Sequence, residues 1–484
     1  MDNIKITQQQ RSAIIREAGR RDIVFFQRNI LKTPEEFIRP HQKVWLESFE
    51  NYSNVLLLAP REHLKSSTLT TYLLHKVLYN PEIRILIVTI SDSLATGMLQ
   101  RIKSILETNT TIRQLFGDVK GNGVWGADGL TLKRKNIYTE PTIKAIGIGT
   151  AAVGSRCDLL ICDDLIDSTK ADSPTERDKL SERFNGELSS LVSDGGKTIV
   201  LGTRKGAHDL YSELLDNKSY YCLVQPAITS HRPEDLTCEY IRDSNGVITG
   251  VEIAEEVAVL DPVRWPIERL MLRRINTGST RFLREYQNDI SSFTGNLLKP
   301  EWLTVSTVPP IEQMNLYMGV DLAISDKTNS DFTVITTVGV DKKTNRIYLL
   351  KMHRSRSDFP TTIENIKSEY QSWHIKPLKV TVESNAAQMA TFQMLFRNTH
   401  LPVFPSHTSK GKDIRMQLLA PLFESGKIQL SHGFDSDGIF RNEWASFPSM
   451  KVHDDALDSV EIALRPILKQ SSKGAGRVIT SGIR

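Results

Sequence analysis

Between residues 55 and 202 the chain repeats one pattern: a short, continuous apolar run, a polar turn, then helical spacing. The runs are Val55–Leu58, Arg84–Thr89, Ile143–Ile148, Asp158–Asp163 and Thr198–Gly202. Helical patterns at Thr68–Tyr79, Ser93–Thr108 and Pro174–Leu191 fall among them. A strand that is apolar on both sides must be covered on both faces, and helices crossing back over a sheet provide that cover. The segment is therefore restricted to a mostly parallel sheet between helices, and we expect one α/β core over residues 35–228.

The flanking regions read differently. Residues 1–34 form an N-terminal extension with an amphipathic helical pattern over 7–31. Residues 229–298 are charged, with a strand-like run at Gly246–Ile253 and helical spacing over Pro266–Asp289, and are expected to form a lid or linker subdomain. From residue 299 the order changes to three strand patterns in a row: Leu316–Leu322, Phe332–Val340 and Arg346–His353. A helix (Phe359–His374) and a strand (Lys379–Glu383) follow. A meander followed by a helix and a parallel strand is the order of an RNase H-like domain, expected over 299–469. Residues 470–484, rich in Ser, Gly and Lys, are expected to be disordered.

Composition sets the outer limits. A chain of 484 residues can bury two or three cores. A formal charge of +4 rules out a uniformly basic protein, so any nucleic-acid surface must come from local clustering. Four cysteines without a CxxC pair exclude a disulfide scaffold or zinc ribbon. No apolar run approaches the roughly 20 residues that cross a bilayer. The polar N-terminus lacks a signal-peptide core, so a cytoplasmic location is expected.

Two constellations carry chemistry. The first begins at Ala59-Pro-Arg-Glu-His-Leu-Lys65-Ser66-Ser67, between a strand and a helix. Its spacing is that of G-x-x-x-x-G-K-[ST], with Ala59 and Leu64 in the glycine places. Unpaired N–H groups at the helix start favour a phosphate there. Lys65 would reach the β- and γ-phosphates of ATP, Ser66 would ligate Mg²⁺, and Ser67 adjoins them. A second strand ends at Asp163-Asp164. The first acid would hold Mg²⁺ and the second orient water. Thr203, ending a further strand, could sense the γ-phosphate. Gln42 could read the adenine edge. Arg61 and Arg156 are both candidates for an arginine finger; the plain alternatives are a helix start for Lys65-Ser66, a strand-end turn for Asp163-Asp164 and for Thr203, a surface glutamine for Gln42 and a structural ion pair for the arginines.

The second constellation is acidic: Asp321, Glu383 and the run His453-Asp454-Asp455-Ala-Leu-Asp458. Carboxylate oxygens suit Mg²⁺ or Mn²⁺, and two such ions can activate water and stabilise a leaving oxygen. Asp454 and Asp458 share a helix face, with Asp455 turned away by about 100°, so which pair faces the metals stays open. Helix capping is the plain alternative. Lys410, Lys412 and Arg415 precede or begin a helix and would suit a DNA backbone, or a solvated face.

In this order the motifs resemble the large terminase subunit of tailed bacteriophages, over roughly residues 35–468. The resemblance rests on Gln42, the degenerate phosphate loop, Asp163-Asp164, Gly202-Thr203, Phe282-Leu-Arg-Glu285-Tyr286-Gln287, Asp321, Glu383, Lys412-x-x-Arg415 and the Asp454–Asp458 cluster. It implies a P-loop ATPase domain of the RecA-like kind joined to an RNase H-like nuclease. It further implies translocation of double-stranded DNA into a procapsid and cutting of concatemers by a two-metal endonuclease. The partners it implies are a portal protein, a small terminase subunit and further copies of the chain in a ring, typically a pentamer. The chain departs from the pattern in its missing glycines and in Asp164, where glutamate is commoner. A helicase-type repair enzyme is the alternative, against which stands the absence of a second set of helicase motifs. A scaffold with a decayed ATP site is a third reading.

Overall fold

The computed structural model describes residues 7–151, 155–166, 173–206, 208–243, 248–290, 298–322, 332–383, 399–408, 411–448 and 454–474. The chain forms two compact units. One holds residues 1–237, 253–271 and 281–291; the other holds 238–252, 272–280 and 292–484.

In the first unit, α1 (Gln8–Arg21) and α2 (Pro40–Asn51) lead to β1 (Asn54–Leu58) and α3 (Lys65–Tyr79). Then come β2 (Ile85–Thr89), α4 (Asp92–Thr108), α5 (Thr110–Phe116), β3 (Lys120–Gly126), β4 (Gly129–Leu132), β5 (Ile143–Gly147) and β6 (Cys157–Asp163). α6 (Pro174–Glu182), β7 (Val192–Gly202), α7 (Leu210–Asp216) and β8 (Tyr221–Val224) follow. The sheet runs β3-β4-β5-β2-β6-β7-β1-β8. From β5 to β8 every pairing is parallel; β3–β4 and β4–β5 are antiparallel. The expected two-sided burial is present. Val55, Leu57, Ile161 and Leu201 pack toward one face with Tyr72 and Leu73 of α3. Leu56, Leu58, Leu160 and Val200 pack toward the other with Phe184, Leu210 and Tyr211.

Insertion of β7 between β1 and β6 shapes the edge of this sheet. It brings the C-terminal ends of β1, β7 and β6 to one edge, with Leu57, Leu201 and Asp163 in register. The β3–β4 pair was not legible in the sequence, because Gly-rich β3 shows no apolar alternation. The helix expected over 7–31 is interrupted at Asp22, whose carboxylate accepts the N–H groups of Val24 and Phe25 and starts a new turn.

Segment 229–298 is shared between the two units. β9 (Cys238–Arg242) pairs with β10 (Ile248–Ile253). The single helix expected over 266–289 is two, α8 (Ile267–Thr277) and α9 (Ser279–Gln287). They break at Gly278, where φ is +83° and an added Cβ would lie 2.6 Å from Pro421; only glycine takes this conformation without strain.

The second unit is built on β11 (Met314–Asp321), β12 (Thr333–Asp341), β13 (Ile347–Ser355), β14 (Lys379–Glu383), β15 (Val403–Ser406) and β16 (Ile428–Leu430), in sheet order β15-β14-β11-β12-β13-β16. β11, β12 and β13 form the antiparallel meander, and β14 joins β11 in parallel. Its helices are α10 (Phe359–Ser372), α11 (Lys412–Glu424), α12 (Ile439–Ser446) and α13 (Asp455–Gly474). This is the expected RNase H-like order. α13 runs to Gly474 and so enters the stretch expected to be disordered; residues 475–484 lie outside the described ones. Among the described residues no helix is long and apolar enough to cross a membrane.

Candidate functional site

The loop between β1 and α3 bends through two left-handed residues, Glu62 (φ 62°) and Leu64 (φ 70°). Leu64 occupies the place of the second motif glycine, so the chain adopts the glycine conformation without the glycine, at a cost of about 1–2 kcal/mol. Burial of the loop opposes that cost. His63 is fully buried, stacks on Trp265 at 5.7 Å, and its Nδ1 lies 2.8 Å from the Arg61 carbonyl. A carbonyl only accepts, so Nδ1 carries the proton and Nε2 stays bare. Burial pushes the imidazole down to about 4.

That depression has a consequence for pH. A folded value below the ordinary 6.5 means stability is complete above pH 6.5 and lost as pH falls toward 4. The amount is on the order of 3 kcal/mol. Urea unfolding at pH 7, 5.5 and 4.5 should show this loss, and a His63→Gln variant should show a shallower one. Parallel pH profiles for the two proteins would refute the assignment.

Lys65 opens α3 and is buried; its ammonium donates to the carbonyls of Ala59 (2.7 Å) and Pro60 (3.1 Å). Burial lowers its pKa, while Asp164 and Asp163 oppose that shift. Ser66 Oγ donates to Asp163 Oδ2 at 3.3 Å, and Asp163 Oδ1 is buried without a hydrogen bond. Burial, then the charge of Asp164, pushes Asp163 up to about 7. Asp164 is exposed, one step past the strand at φ 48°, and its N–H donates to the Leu201 carbonyl. A lysine held by carbonyls, a hydroxyl and a carboxylate oxygen without a partner fit a magnesium nucleotide.

Further cations and an acid stand beside this set. Arg61 bonds Glu285 at 3.1 Å, and Glu285 also pairs with Arg281. Burial works to raise Glu285, but Arg281, Lys205 and Arg61 outweigh it and hold its carboxyl low. Lys205 was missed from sequence. It is buried just past Thr203, and burial lowers its pKa against the pull of Asp164 and Glu285. Thr203 is buried at the same edge.

Two expected residues lie elsewhere. Arg156 precedes β6, at the opposite strand end from Asp163, roughly 20 Å away by strand rise. There its N–H donates to Glu140 and its guanidinium to the Ser190 carbonyl. The structure therefore corrects the finger expectation for Arg156 within its own chain. Gln42, expected at the adenine edge, is buried between two helices. Its Oε1 accepts the Arg39 N–H at 2.8 Å and its Nε2 donates to Thr68 at 2.9 Å, so the amide braces α2 against α3. A cavity of about 330 Å³ beside the exposed Ser67 is lined instead by Gln27, whose Oε1 is buried without a hydrogen bond.

In the second unit, Gly319 sets the geometry. A Cβ there would lie 2.3 Å from the Ala463 nitrogen and 2.4 Å from the Ser459 carbonyl, so α13 rests on bare β11 backbone. Thr336 and Ser459, both fully buried, hydrogen-bond at 2.7 Å in the same contact. Asp321, two residues on, points to the same side. Burial, then Asp458, Asp455 and Glu383, raise its pKa well above the usual range, with Lys412 opposing. Glu443 of α12 caps α13 by accepting the N–H groups of Ala456 and Leu457. Burial pushes that carboxyl up to about 7.

Lys412 and Arg415 spend their charge on this cluster. Lys412 pairs with Asp454 and, at 2.5 Å, with Asp458. Arg415 pairs with Glu461 at 2.6 Å and approaches Asp458 at 3.4 Å. Arg465 joins Glu461 at 2.6 Å and Glu383 at 3.2 Å. Lys412 and Arg415, expected at a DNA backbone or on a solvated face, are both paired with acids here. Lys410 and His453 lie outside the described residues. Asp455 accepts the Phe332 N–H at 3.1 Å.

Among the described residues no three His, Cys, Asp or Glu side chains stand together as a ready metal cage. The reason is visible in the pairing: Glu383 is drawn to Arg465, Asp454 and Asp458 to Lys412, and Asp455 to a backbone N–H. The donors themselves are hard oxygens, and Asp458 Oδ1 is buried without a hydrogen bond. The set therefore fits Mg²⁺ or Mn²⁺ chemically, once the side chains exchange these partners for an ion.

The chain is similar to several known proteins. Residues 318–465 match the family described as the terminase RNaseH-like domain. The large terminase subunit of Enterobacteria phage T3 is 30% identical over 155 residues, 30% of this chain and 26% of that protein; the chain thus spans about a quarter of that relative. The large terminase of a thermophilic bacteriophage, solved in complex with ADP, is 12% identical with a TM-score of 0.48. That comparison covers 89% of this chain and 99% of that one. The nuclease domain of the bacteriophage SPP1 large terminase, solved with bound Mn, is 15% identical with a TM-score of 0.27, over 35% of this chain and 99% of that one. Residues 318–465 thus resemble a terminase RNase H-like domain, and the chain is similar to the large terminase subunits of bacteriophages.

Proposed function

We infer that the protein is the motor and nuclease of viral genome packaging: it hydrolyses ATP to drive double-stranded DNA into a procapsid and cuts concatemeric DNA. The observation that carries the reading is the coexistence of a buried Lys65–Asp163 phosphate edge in one unit with the Asp321 carboxylate cluster in the other.

At the ATP edge, Lys65 and the N–H groups opening α3 would hold the phosphates, and Ser66 and Asp163 would hold Mg²⁺, which would neutralise charge on the transferred group. Asp164, exposed beside Asp163, takes the role of orienting water. Arg61, tethered to Glu285, is the arginine nearest the phosphate loop. Arg156 can serve only a neighbouring copy. The cavity beside Ser67 accommodates the base.

At the nuclease edge, Asp321 and Glu383, with Asp455 and Asp454 or Asp458, would hold two Mg²⁺ or Mn²⁺ ions, which supply an activated water and stabilise the leaving oxygen. Gly319 and Glu443 place the helix carboxylates against β11. Lys412 and Arg465 balance the carboxylates' charge that bound ions would otherwise balance. The assembly this reading carries is a ring of copies, a pentamer, on a portal protein, with a small terminase subunit as partner, in the host cytoplasm.

The test is plasmid cleavage with Mg²⁺ or Mn²⁺, with ATP hydrolysis followed in the same samples. The Asp321→Ala variant should lose cleavage by at least about 100-fold and keep its ATPase. Absence of cleavage by the unaltered protein with either metal would remove the nuclease half of the reading.

A further inference from the structure

Arg354 and Arg356, near the end of β13, lie over the ring of Phe332, with guanidinium carbons 3.5 and 4.0 Å from its centroid. Among the described residues neither side chain makes a hydrogen bond or a contact ion pair, Arg354 Nε is buried without a hydrogen bond, and the Arg354 charge acts on Glu443 only at longer range. This is unusual for the unit: Lys412, Arg415 and Arg465 each spend their charge on carboxylates. The nearby acid, Glu443, directs its Oε2 to the N–H groups of α13. Two cations are thus held on an aromatic plate with their hydrogen-bonding edges uncommitted.

Their position is fixed by register. Asp321 pairs with Val334, and Val334 with Arg354. Directly opposed residues of antiparallel strands point to the same side, so Arg354 projects from the sheet face that Asp321 uses. Two strand spacings put it roughly 10 Å from Asp321. Phosphates of one strand advance about 3.4 Å each along a duplex axis, so this spans about three nucleotides. The two positions are also linked by contact, since Asp455 accepts the N–H of Phe332.

We propose that Arg354 and Arg356, stacked on Phe332, form a phosphate-binding site for the backbone of duplex DNA beside the carboxylate cluster. Stacking fixes each guanidinium plane in advance, so less rotamer freedom is lost when the planar fork meets a phosphate. The site rests on the nuclease reading for its purpose: it holds the strand a few nucleotides from the bond to be cut. These are positioning residues, and no reacting atom touches them.

The experiment measures binding of a fluorescein-labelled DNA duplex to the full chain, by anisotropy in EDTA, across a salt series. Each phosphate contact contributes about 0.9 to the slope of log K against log salt. The Arg356→Gln variant, altered at an exposed side chain, should lower the slope by about 0.9. The Arg354→Gln/Arg356→Gln variant should lower it by about 1.8 and weaken binding about tenfold or more at physiological salt. Phe332→Leu keeps both charges but removes the plate; it should weaken binding with little change of slope. Slope and affinity unchanged in the Arg356→Gln and double variants would overturn the proposal. Cleavage with Mg²⁺ by the unaltered protein is scored separately. A protein that shows the slope change but never cuts DNA would refute the nuclease reading and leave the phosphate site standing.

Discussion

The Gly319→Ala variant should lose DNA cleavage by on the order of 100-fold while retaining ATP hydrolysis. The added carbon would sit 2.3 Å from the Ala463 nitrogen, 2.4 Å from the Ser459 carbonyl and 2.7 Å from the Ala463 Cα. All three are backbone atoms, so no rotamer change relieves the clash and α13 must move off β11. That helix carries Asp455 and Asp458, and the strand carries Asp321. A displacement near 1 Å at reacting groups is enough for such a loss. Overpacking should also cost about 1–3 kcal/mol in stability, seen as an earlier thermal transition. Gly433→Ala is the control: its Cβ would meet nothing within 4 Å, and cleavage and melting should not change. A Gly319→Ala protein that cuts DNA at the normal rate would show that the helix–strand contact does not set the site.

Lys65→Ala should reduce ATP turnover by about 100- to 1000-fold and leave metal-dependent cleavage in place. Lys65 is buried with its ammonium on two loop carbonyls, so alanine removes both the phosphate cation and the tie that closes the loop. Asp163, already pushed up to about 7, also loses the opposing charge of Lys65. Its carboxyl then holds a proton more readily and is a poorer ligand at neutral pH. Turnover assays and binding of a fluorescent ADP analogue would separate loss of chemistry from loss of affinity. Turnover within threefold of the unaltered protein would place the phosphate site elsewhere.

The residues that were legible in the sequence share one property: their roles follow from neighbours close in the chain. The strand–loop–helix around Lys65, the apolar run into Asp163 and the meander ending near Asp321 are local patterns. Arg156 and Gln42 show where that reasoning stops. Each is a chemically suitable residue near a motif in sequence, yet Arg156 lies at the far end of its strand and Gln42 turns to Thr68. Lys412 and Arg415 looked like free cations because their acidic partners are more than forty positions away. Lys205, Glu443 and Arg354 gave no signal at all, since an isolated charged residue has meaning only through what surrounds it.

The amino-acid order by itself determined the two α/β layers, because two-sided apolar strands and amphipathic helices have few ways to bury their surfaces. It also determined the chemical character of each site, through the lysine, serine and carboxylates it supplies. Only the tertiary structure decided which of those groups meet. Strand order brings the ends of β1 and β6 to one edge, bare backbone at Gly319 admits α13, and pairing among distant charges settles which cations and oxygens remain for a ligand.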